Sequence, residues 1–354
     1  MKMLNKKNNK IKFNLDFWRK LSKPILCLAP MADVTDEAFR QMFVKYGKPD
    51  VLWTEFVSVN GLCSQKGYKN MLIDLKFKKN EHPIVAQVFG SDPDKFYQAA
   101  KIIKKLGFDG IDINMGCPDK KVEKQGAGAA LMKNYKLAQE IIKETKRGVR
   151  FRQGYSGEAR EIPVSVKTRI GYDKIDTVKW IKNLLEVEPA VISIHWRTRQ
   201  EMSDVPAHWH EAKKIMKLAR KTNTLIIGNG DVESLEDAYQ KVKKYDVDGV
   251  MVGRGAFGKP WFFAHPSPPS PSPKGRGGDD VKKKLKIMVE HAVLFDKLYC
   301  GTTRLRQGYG GRGKNFSIMK KHFKAYATGF QGAKELRVKL MEAENVADVK
   351  KILS

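Results

Sequence analysis

The sequence has only four cysteines in 354 residues, and none of them forms a CxxC pair or a zinc-ligand spacing. This pattern argues against a disulfide framework and a metal site, and it fits a protein of the reducing cytoplasm. Long apolar runs are also missing. The mean hydropathy is −0.47, and runs such as ILCLAPMA are much shorter than the roughly 20 residues that a membrane span needs. Because the amino-terminal segment also lacks the apolar core of a secretion signal, we expect a cytoplasmic protein without a membrane span.

Acidic residues are scarce, with 39 Asp and Glu against 67 Lys and Arg, and the net charge is +28. The excess is concentrated at the carboxyl end, where residues 281–354 contain 17 Lys and Arg against 6 Asp and Glu. Such a distribution favours a polyanionic partner such as nucleic acid. Lysine-rich faces that are merely solvated would give the same counts, so charge alone leaves both interpretations open.

What the sequence does contain is a series of eight short apolar runs, separated by segments with helical periodicity. The runs are rich in Val and Ile and do not alternate cleanly with polar residues, as expected for parallel strands that are buried on both faces. They span residues 25–31, 51–57, 83–89, 110–116, 163–169, 191–197, 224–230 and 249–255. Eight strand–helix units over about 250 residues predict an α/β fold of the (β/α)8 TIM-barrel type better than an open doubly wound sheet.

A Pro/Ser/Gly-rich stretch at residues 264–280 interrupts these patterns and predicts a linker or insert. It separates a basic extension (1–22) and a barrel (23–263) from a small all-α domain (281–354), in which three segments have helical patterns. Residues 151–160 and 305–314 share the pattern RQGYxG, and we interpret them as surface insertions without a function.

In a TIM barrel the carboxyl ends of the strands form the mouth in which active sites lie. Polar or special residues occur at every predicted strand end: Pro30 and Met31, Glu55, Gln87, Asn114 with Cys117, Lys167, His195, Asn229 with Asp231, and Gly253 with Arg254. Chance patterning of apolar runs would not give this many, so the sequence predicts a functional site at the mouth.

Some of these residues indicate the chemistry of that site. A lysine directed into the mouth, Lys167, must face an anion or lose its proton. Backbone amides at 229–231 and 253–255 are able to cradle a phosphate beside Arg254, although glycines there would also suit simple tight turns. His195 fits a contact to a ring or a base, and it fits a structural role equally well.

Seven motifs occur along the chain in this order: APMADVTDEAFR, QVFGSDP, DGIDINMGCPDKKVEKQGAGAALM, PVSVKTRIGY, HWRTR, IIGNGDV and DGVMVGRGAFGKPW. Together they resemble the tRNA-dihydrouridine synthases, most of all the bacterial ones, from about residue 22 to 345. The resemblance implies an FMN-dependent reduction of uridine in tRNA to 5,6-dihydrouridine, with NADPH as the electron donor. It also implies that the carboxyl-terminal helices hold tRNA.

The same resemblance implies roles for individual residues. Cys117 would donate a proton to C5 of the uracil ring after a hydride from flavin N5 reaches C6. FMN would be contacted by Pro30, Met31, Ala32, Gln87, Lys167, His195, Asn229, Gly230, Asp231, Gly253 and Arg254. The substrate would be contacted by Asn114, Arg197, Lys320, Lys321 and Lys324. A thiol with an ordinary pKa of about 8.5 suits the acid role, because it is protonated at neutral pH.

Two residues depart from the family pattern, which often has glycine where Asp33 and Trp196 stand. We expect Asp33 to cap the following helix and Trp196 to alter the fit of the base. Two other functions stay open: an FMN barrel oxidoreductase acting on a free pyrimidine, like dihydroorotate or dihydropyrimidine dehydrogenase, and a non-catalytic tRNA-binding protein. The basic carboxyl end argues against the first, and Cys117 with Lys167 argues against the second. We expect the protein to be a monomer.

Overall fold

The structure is a computed structural model that describes residues 16–150, 161–264, 277–300 and 313–354. Most of the basic extension, the first RQGYxG stretch, most of the second and most of the Pro/Ser/Gly-rich segment lie outside these ranges. What the sequence predicts for those residues therefore stays a prediction.

Each of the eight apolar runs contains one strand. The strands are Ile25–Leu28 (β1), Leu52–Ser58 (β2), Ile84–Phe89 (β3), Gly110–Met115 (β4), Val164–Arg169 (β5), Val191–His195 (β6), Leu225–Asn229 (β7) and Gly249–Val252 (β8). They are all parallel and pair in the order β1-β8-β7-β6-β5-β4-β3-β2. A bridge between Cys27 and Val51 joins the two ends of this order, so the sheet curls round into a barrel. The TIM-barrel prediction is confirmed.

Helices follow the strands and cover the outside of the barrel. Before and around the barrel they are Asp16–Lys20 (α1), Glu37–Tyr46 (α2), Val59–Leu62 (α3), Gln65–Met71 (α4), Pro93–Lys105 (α5), Lys120–Glu123 (α6), Tyr135–Arg150 (α7), Thr177–Leu185 (α8), Ala212–Ala219 (α9) and Leu235–Tyr245 (α10). The carboxyl-terminal ones are Gly277–Phe295 (α11), Met319–Tyr326 (α12), Ala333–Glu342 (α13) and Val346–Leu353 (α14).

Helix α5 shows how the local sequence sets these boundaries. Asp92 caps its amino terminus by accepting from the backbone amides of Asp94 and Lys95, and Pro93 occupies the first turn, where its missing N–H costs nothing. Phe96 and Ile103 are among the residues on its buried face. The helical periodicity that the sequence shows between the third and fourth apolar runs is therefore confirmed.

An apolar cluster fills the barrel interior at the amino-terminal ends of the strands. Its members come from α1 and from several strands, and they include Trp18, Cys27, Trp53, Val85 and Met251. Since this cluster fills the amino-terminal end of the barrel, polar side chains of the strands face the opposite, carboxyl-terminal end. This is where the mouth lies.

A second core lies among the carboxyl-terminal helices. Ala38 and Met42 of α2 belong to it together with Met288, Phe295 and other buried residues of α11–α14. Helix α2 thus joins the barrel to these helices. The division into a barrel domain and a helical domain stays our proposal. Among the described residues, no helix is long and apolar enough to cross a membrane.

Candidate active site

A cavity of about 570 Å³ opens at the carboxyl ends of the strands. This volume lies within the range of about 300–1,000 Å³ that is typical of cofactor and ligand pockets. The predicted site residues that line it are Pro30, Met31, Lys167, His195, Asn229, Gly230, Asp231, Gly253 and Arg254. The structure therefore brings together residues that the sequence spreads over more than half of the chain.

Lys167 extends from β5 into this cavity with little support from the protein. The one hydrogen bond of its ammonium group within the described residues is to Oδ1 of Asn229, at 3.4 Å. The Asn229 amide is itself fixed, because its Nδ2 donates to the carbonyl of Met251 at 2.7 Å. Burial lowers the pKa of Lys167 to about 8. A half-satisfied ammonium of this kind fits an anionic ligand edge.

Arg169, which is not among the predicted site residues, also lines the cavity. Its Nε donates to the carbonyl of Gly116 at 2.9 Å, and its Nη1 donates to the carbonyls of Thr198 and Met202. Burial lowers its pKa to about 10, so it stays charged at neutral pH. Strand alternation is the sequence signal that points to Arg169, because residues two apart on one strand face the same side. Arg169 therefore shares a side with Lys167.

His195 is held as a neutral imidazole. Nη1 of Arg197 lies 3.2 Å from its Nε2, and a guanidinium can only donate, so Nε2 accepts and the proton is on Nδ1. Burial, together with the positive charges of Arg169, Lys167, Arg197 and Arg254, lowers the pKa of His195 well below its usual value. The ring therefore offers an N–H donor and carries no charge.

Arg197 itself is only 3% exposed and does not line the cavity. Its Nη2 donates to both carboxylate oxygens of Asp231, at 2.6 and 2.7 Å, and its Nε donates to the carbonyl of Val205. Asp231 has a left-handed backbone (φ 49°), and its two hydrogen bonds from Arg197 Nη2 help to hold it in this conformation. The sequence-based assignment of Arg197 to the substrate stays a prediction, but this geometry favours a role in orienting His195 and Asp231.

The corner beside β7 and β8 has the features of a phosphate site. Gly230 has φ 120°, and a Cβ at this position would lie 3.0 Å from Cδ2 of His195, so a side chain does not fit. The Arg254 side chain is 65% exposed, and its nearest carboxylate oxygen, on Asp231, is 3.7 Å away. An available cation beside glycine turns suits a phosphate, so the cavity fits a cofactor that has an anionic ring edge and a phosphate.

Cys117 lies just beyond β4, in a loop that the protein holds at several points. Its backbone N–H donates to Oδ1 of Asn114 at 2.9 Å, and its carbonyl accepts from Ala129 at 3.0 Å. Gly128 has φ 61°, and a Cβ there would come within 2.8 Å of this carbonyl. Burial raises the pKa of the Cys117 thiol. The thiol is therefore protonated at neutral pH, beside the Arg169 guanidinium that contacts the same loop.

Several sequence-predicted residues do not line the cavity. Gln87 and Asn114 lie under the Cys117 loop, linked by a hydrogen bond of 3.0 Å from Asn114 Nδ2 to Gln87 Oε1. Ala32 is exposed beyond β1. Conversely, the cavity is also lined by residues that no sequence signal indicated, including Met202, Ser203, Val232 and Glu233. These lie in loops whose path is set by tertiary packing.

The structure shows where the two residues that depart from the family pattern lie. Asp36 caps α2, with Oδ1 accepting from the Phe39 amide, so the expectation that Asp33 caps this helix is wrong. Asp33 has a left-handed backbone (φ 54°), and its carboxylate lies 3.3 Å from the ammonium of Lys321. Trp196 is fully buried and packs against Trp209 outside the cavity lining.

The predicted tRNA-binding lysines lie on α12. Met319, His322, Phe323 and Tyr326 form its buried face. Lys321 and Lys324 are exposed and Lys320 is half-buried. The contact of Lys321 with Asp33 brings this helix next to the segment that follows β1. Among the described residues, no group of three or more His, Cys, Asp or Glu side chains is arranged to hold a metal ion.

Comparison with known proteins gives a consistent result. A family model described as dihydrouridine synthase matches residues 27–354. Among curated proteins, the chain is 38% identical to the "Probable tRNA-dihydrouridine synthase" of Staphylococcus aureus strain Mu50, over 96% of this chain and 94% of that protein. It is 35% identical to the "Probable tRNA-dihydrouridine synthase 2" of Bacillus subtilis strain 168, with 96% and 95% covered.

Solved structures show the likeness of the fold. A 2-naphthoyl-CoA reductase complex superposes with a TM-score of 0.51 at 12% sequence identity, covering 67% of this chain and 49% of that one. The chain thus spans about half the length of this larger protein.

Proposed function

Because the chain belongs to the dihydrouridine synthase family, we propose that it reduces uridine in tRNA to 5,6-dihydrouridine, with FMN as the cofactor and NADPH as the electron donor. One observation carries the proposal. A cavity lined by incompletely satisfied cations lies beside a loop that presents a protonated thiol. Such a site combines a place for an anionic redox cofactor with a general acid.

In this proposal the cavity residues hold FMN by its two anionic parts. Lys167 would hold the N1 and O2 edge of the ring, where its ammonium would offset negative charge. Arg254 and the backbone at 229–231 and 253–255 hold the phosphate. Reduced FMN held by these residues would supply the hydride that reduction of the uracil ring at C6 requires. The neutral His195 donates its Nδ1–H to the ring or to the base.

Cys117 completes the reduction by giving its proton to C5 of the same ring. Addition of a hydride at C6 builds enolate charge toward the C4 carbonyl, and Arg169 is a fixed cation that contacts the Cys117 loop. The hydride and the proton together add two hydrogens across the C5–C6 bond, and the thiolate is then reprotonated from water. A raised thiol pKa keeps the acid loaded before each turnover.

The basic carboxyl-terminal helices fit the macromolecular substrate. A target uridine in a folded tRNA has to swing out of its stack, which costs a few kcal/mol by analogy with base flipping, so phosphate contacts have to offset that cost. Lys320, Lys321 and Lys324 on α12 are the residues that we propose for these contacts. A substrate as small as a free pyrimidine would give such a surface no purpose.

The direct test is mass spectrometry of the nucleosides of unmodified tRNA after incubation with the protein, FMN and NADPH. We expect uridine to gain the mass of two hydrogens in a product that is absent with Cys117→Ala. If the flavin is bound and reduced by NADPH but no dihydrouridine forms, the proposed function is wrong. Uracil and orotate should then be tried as substrates of a small-molecule reductase.

A further inference from the structure

The barrel interior contains a buried carboxylate, Asp112, that has no part in the reaction proposed above. It lies on β4 in register with Gln87 on β3 and Ser165 on β5, and it is fully buried. Its Oδ1 accepts from the Ser165 hydroxyl at 2.6 Å, and its Oδ2 accepts from Nε2 of Gln87 at 2.7 Å. Burying a carboxylate is costly, so its hydrogen bonds have to compensate for the lost water.

The hydrogen bonds from Cys117 down to Asp112 have a fixed direction. The backbone amides of Gly116 and Cys117 can only donate, so Asn114 has to present its oxygen to them, as it does at 3.1 and 2.9 Å. The amide nitrogen of Asn114 then faces Gln87 and needs an acceptor, which is Oε1 at 3.0 Å. The amide nitrogen of Gln87 in turn needs an acceptor, and an ionised carboxylate can only accept.

We propose that Asp112 is a positioning residue for Cys117, which acts by fixing the orientation of the Gln87 and Asn114 amides and, through them, the direction of the Cys117 loop. This rests on the proposed function, in which the Cys117 thiol has to reach C5 of the base. Without the acceptor at Asp112, Gln87 is free to turn its amide over. The amide nitrogen of Gln87 would then face the amide nitrogen of Asn114. Asn114 would thereby lose its acceptor, and its amide would be free to turn over as well.

The surroundings of Asp112 agree with an acceptor-only role. Burial raises its pKa to about 6, so the carboxylate is ionised at neutral pH. The cation that faces it is Lys167, two residues beyond Ser165 on β5. On the other side of the loop, Arg169 donates to the carbonyl of Gly116. The Cys117 loop is thus held by the Asn114 oxygen, which accepts from its amides, and by Arg169, which donates to its carbonyl.

The first experiment compares Asp112→Leu with Asp112→Asn in the flavin-loaded protein. Leu removes the acceptor, whereas Asn accepts from Gln87 through its oxygen and donates to the Ser165 hydroxyl, so it keeps the direction of the hydrogen bonds. We expect Asp112→Leu to lower kcat by about 100-fold, as a misplaced catalytic group does, with less than about threefold change in the KM for tRNA. Asp112→Asn should stay close to the wild type.

The second experiment exchanges the carboxylate of Asp112 and the amide of Gln87. It also tests the proposal if Asp112→Leu does not fold. Gln87→Glu alone places two carboxylates face to face and should reduce kcat. The double variant combines Gln87→Glu with Asp112→Asn. The new amide at position 112 donates to the new carboxylate at position 87 and accepts from the Ser165 hydroxyl. Asn114 still finds an acceptor in the carboxylate at position 87. We expect the double variant to recover most of the activity, with flavin binding measured in each variant.

Hydrogen exchange of the Gly116 and Cys117 amides provides a readout that does not depend on catalysis. We expect exchange at these two amides to become at least about tenfold faster in Asp112→Leu than in Asp112→Asn, with unchanged exchange in β6. Equal losses in both Asp112 variants, or no recovery in the double variant, would overturn the proposal and assign the effect to charge or packing. If the wild type forms no dihydrouridine, the proposed function fails, while the exchange comparison still tests the hydrogen-bond chain.

Discussion

Cys117 is the residue on which the proposed reaction depends most directly, and its surroundings keep its proton in place. Burial raises the thiol pKa, and the backbone of the residue is bonded on both sides, to Asn114 and to Ala129. A reactive nucleophilic cysteine would need the opposite shift. The structure thus agrees with a thiol that acts as an acid.

Replacing this thiol should stop the reaction without removing the cofactor. We expect Cys117→Ala to lower the single-turnover rate of dihydrouridine formation by about 10²–10⁴-fold, the usual contribution of a general acid. Flavin content should not change, because Cys117 does not line the cavity. Alkylation of wild-type Cys117, followed by peptide mass spectrometry, should accelerate only at a pH above the ordinary thiol range. Half-maximal alkylation at neutral pH would contradict the acid assignment.

Asp33 is a second residue whose effect can be isolated. Its carboxylate lies 3.3 Å from Lys321, and both side chains are at least half exposed. Asn tolerates the same left-handed backbone, so Asp33→Asn removes the charge without new strain. Since exposed pairs are weak, we expect tRNA binding at low salt to strengthen by at most about fivefold and the gain to vanish at high salt. The gain should also be absent in a Lys321→Ala background. If tRNA binding still strengthens in the Lys321→Ala background, the effect of Asp33 does not depend on Lys321.

At the scale of elements, strand alternation decides which side chains reach the mouth. On β5, Ser165, Lys167 and Arg169 face the barrel interior, whereas Val164 and Val166 pack in the outer core. The register between neighbouring strands then sets which of them meet, as for Gln87, Asp112 and Ser165. A shift of one residue in any of these strands would move its polar side chains out of the site.

Helix α12 is the element to which we assign the tRNA phosphates. Replacing Lys320, Lys321 and Lys324 together by Ala should weaken tRNA binding by about tenfold or more and reduce the slope of log affinity against log salt by about 2–3. Flavin absorbance should not change, because none of the three lines the cavity. The matched control replaces the exposed Lys213, Lys217 and Lys221, at and after α9, and has the same change in charge. Equal effects of the two triple variants would remove α12 as the docking face.

At the scale of the whole molecule, one buried ion-pair cluster joins the carboxyl-terminal region to the barrel. The ammonium of Lys314 contacts Glu55 of β2 and lies 2.8 Å from Asp74, and the lysine side chain is only 9% exposed. The carboxylates raise the pKa of Lys314, while burial raises that of Glu55 to about 7. Lys314 is the last residue of a stretch that the sequence predicted to be a surface insertion. For this residue, that prediction is wrong.

Breaking this cluster should loosen the contact between barrel and helices. Lys314→Met leaves the buried Glu55 and the partly exposed Asp74 without their cation, so we expect the free energy of unfolding to fall by about 3–5 kcal/mol. Lys314→Arg keeps a cation at this position, so it should retain most of the wild-type free energy of unfolding. Lys45→Met is the matched control, because Lys45 pairs with Glu290 across the contact of α2 with α11 but is 56% exposed. Urea unfolding measures all three variants. A Lys314→Met protein as stable as Lys45→Met would contradict the structural importance of the cluster.

The sequence by itself determined the eight strands and the polar residues at their ends, because short apolar, β-branched runs and the polar residues that end them are local properties that each segment carries alone. Motif order was enough to indicate the family, which the comparisons confirm. Helix starts such as Asp92–Pro93 were equally local. The role of Asp33 as a helix cap was predicted from the same kind of signal and failed, since Asp36 offered a better-placed carboxylate.

Only the tertiary structure decided how these residues are used. That Arg197 bonds Asp231 and His195, that Asp112 supports Asn114 through Gln87, and that Lys314 reaches Glu55 all depend on the register of neighbouring strands and on the packing of α2 against the carboxyl-terminal helices. Apart from Arg197 and His195, which are two residues apart, these partners lie 25 to 259 residues apart in the chain and leave no local pattern. Their donors and acceptors are matched only after the barrel has closed, because burial then makes every unpaired polar group costly.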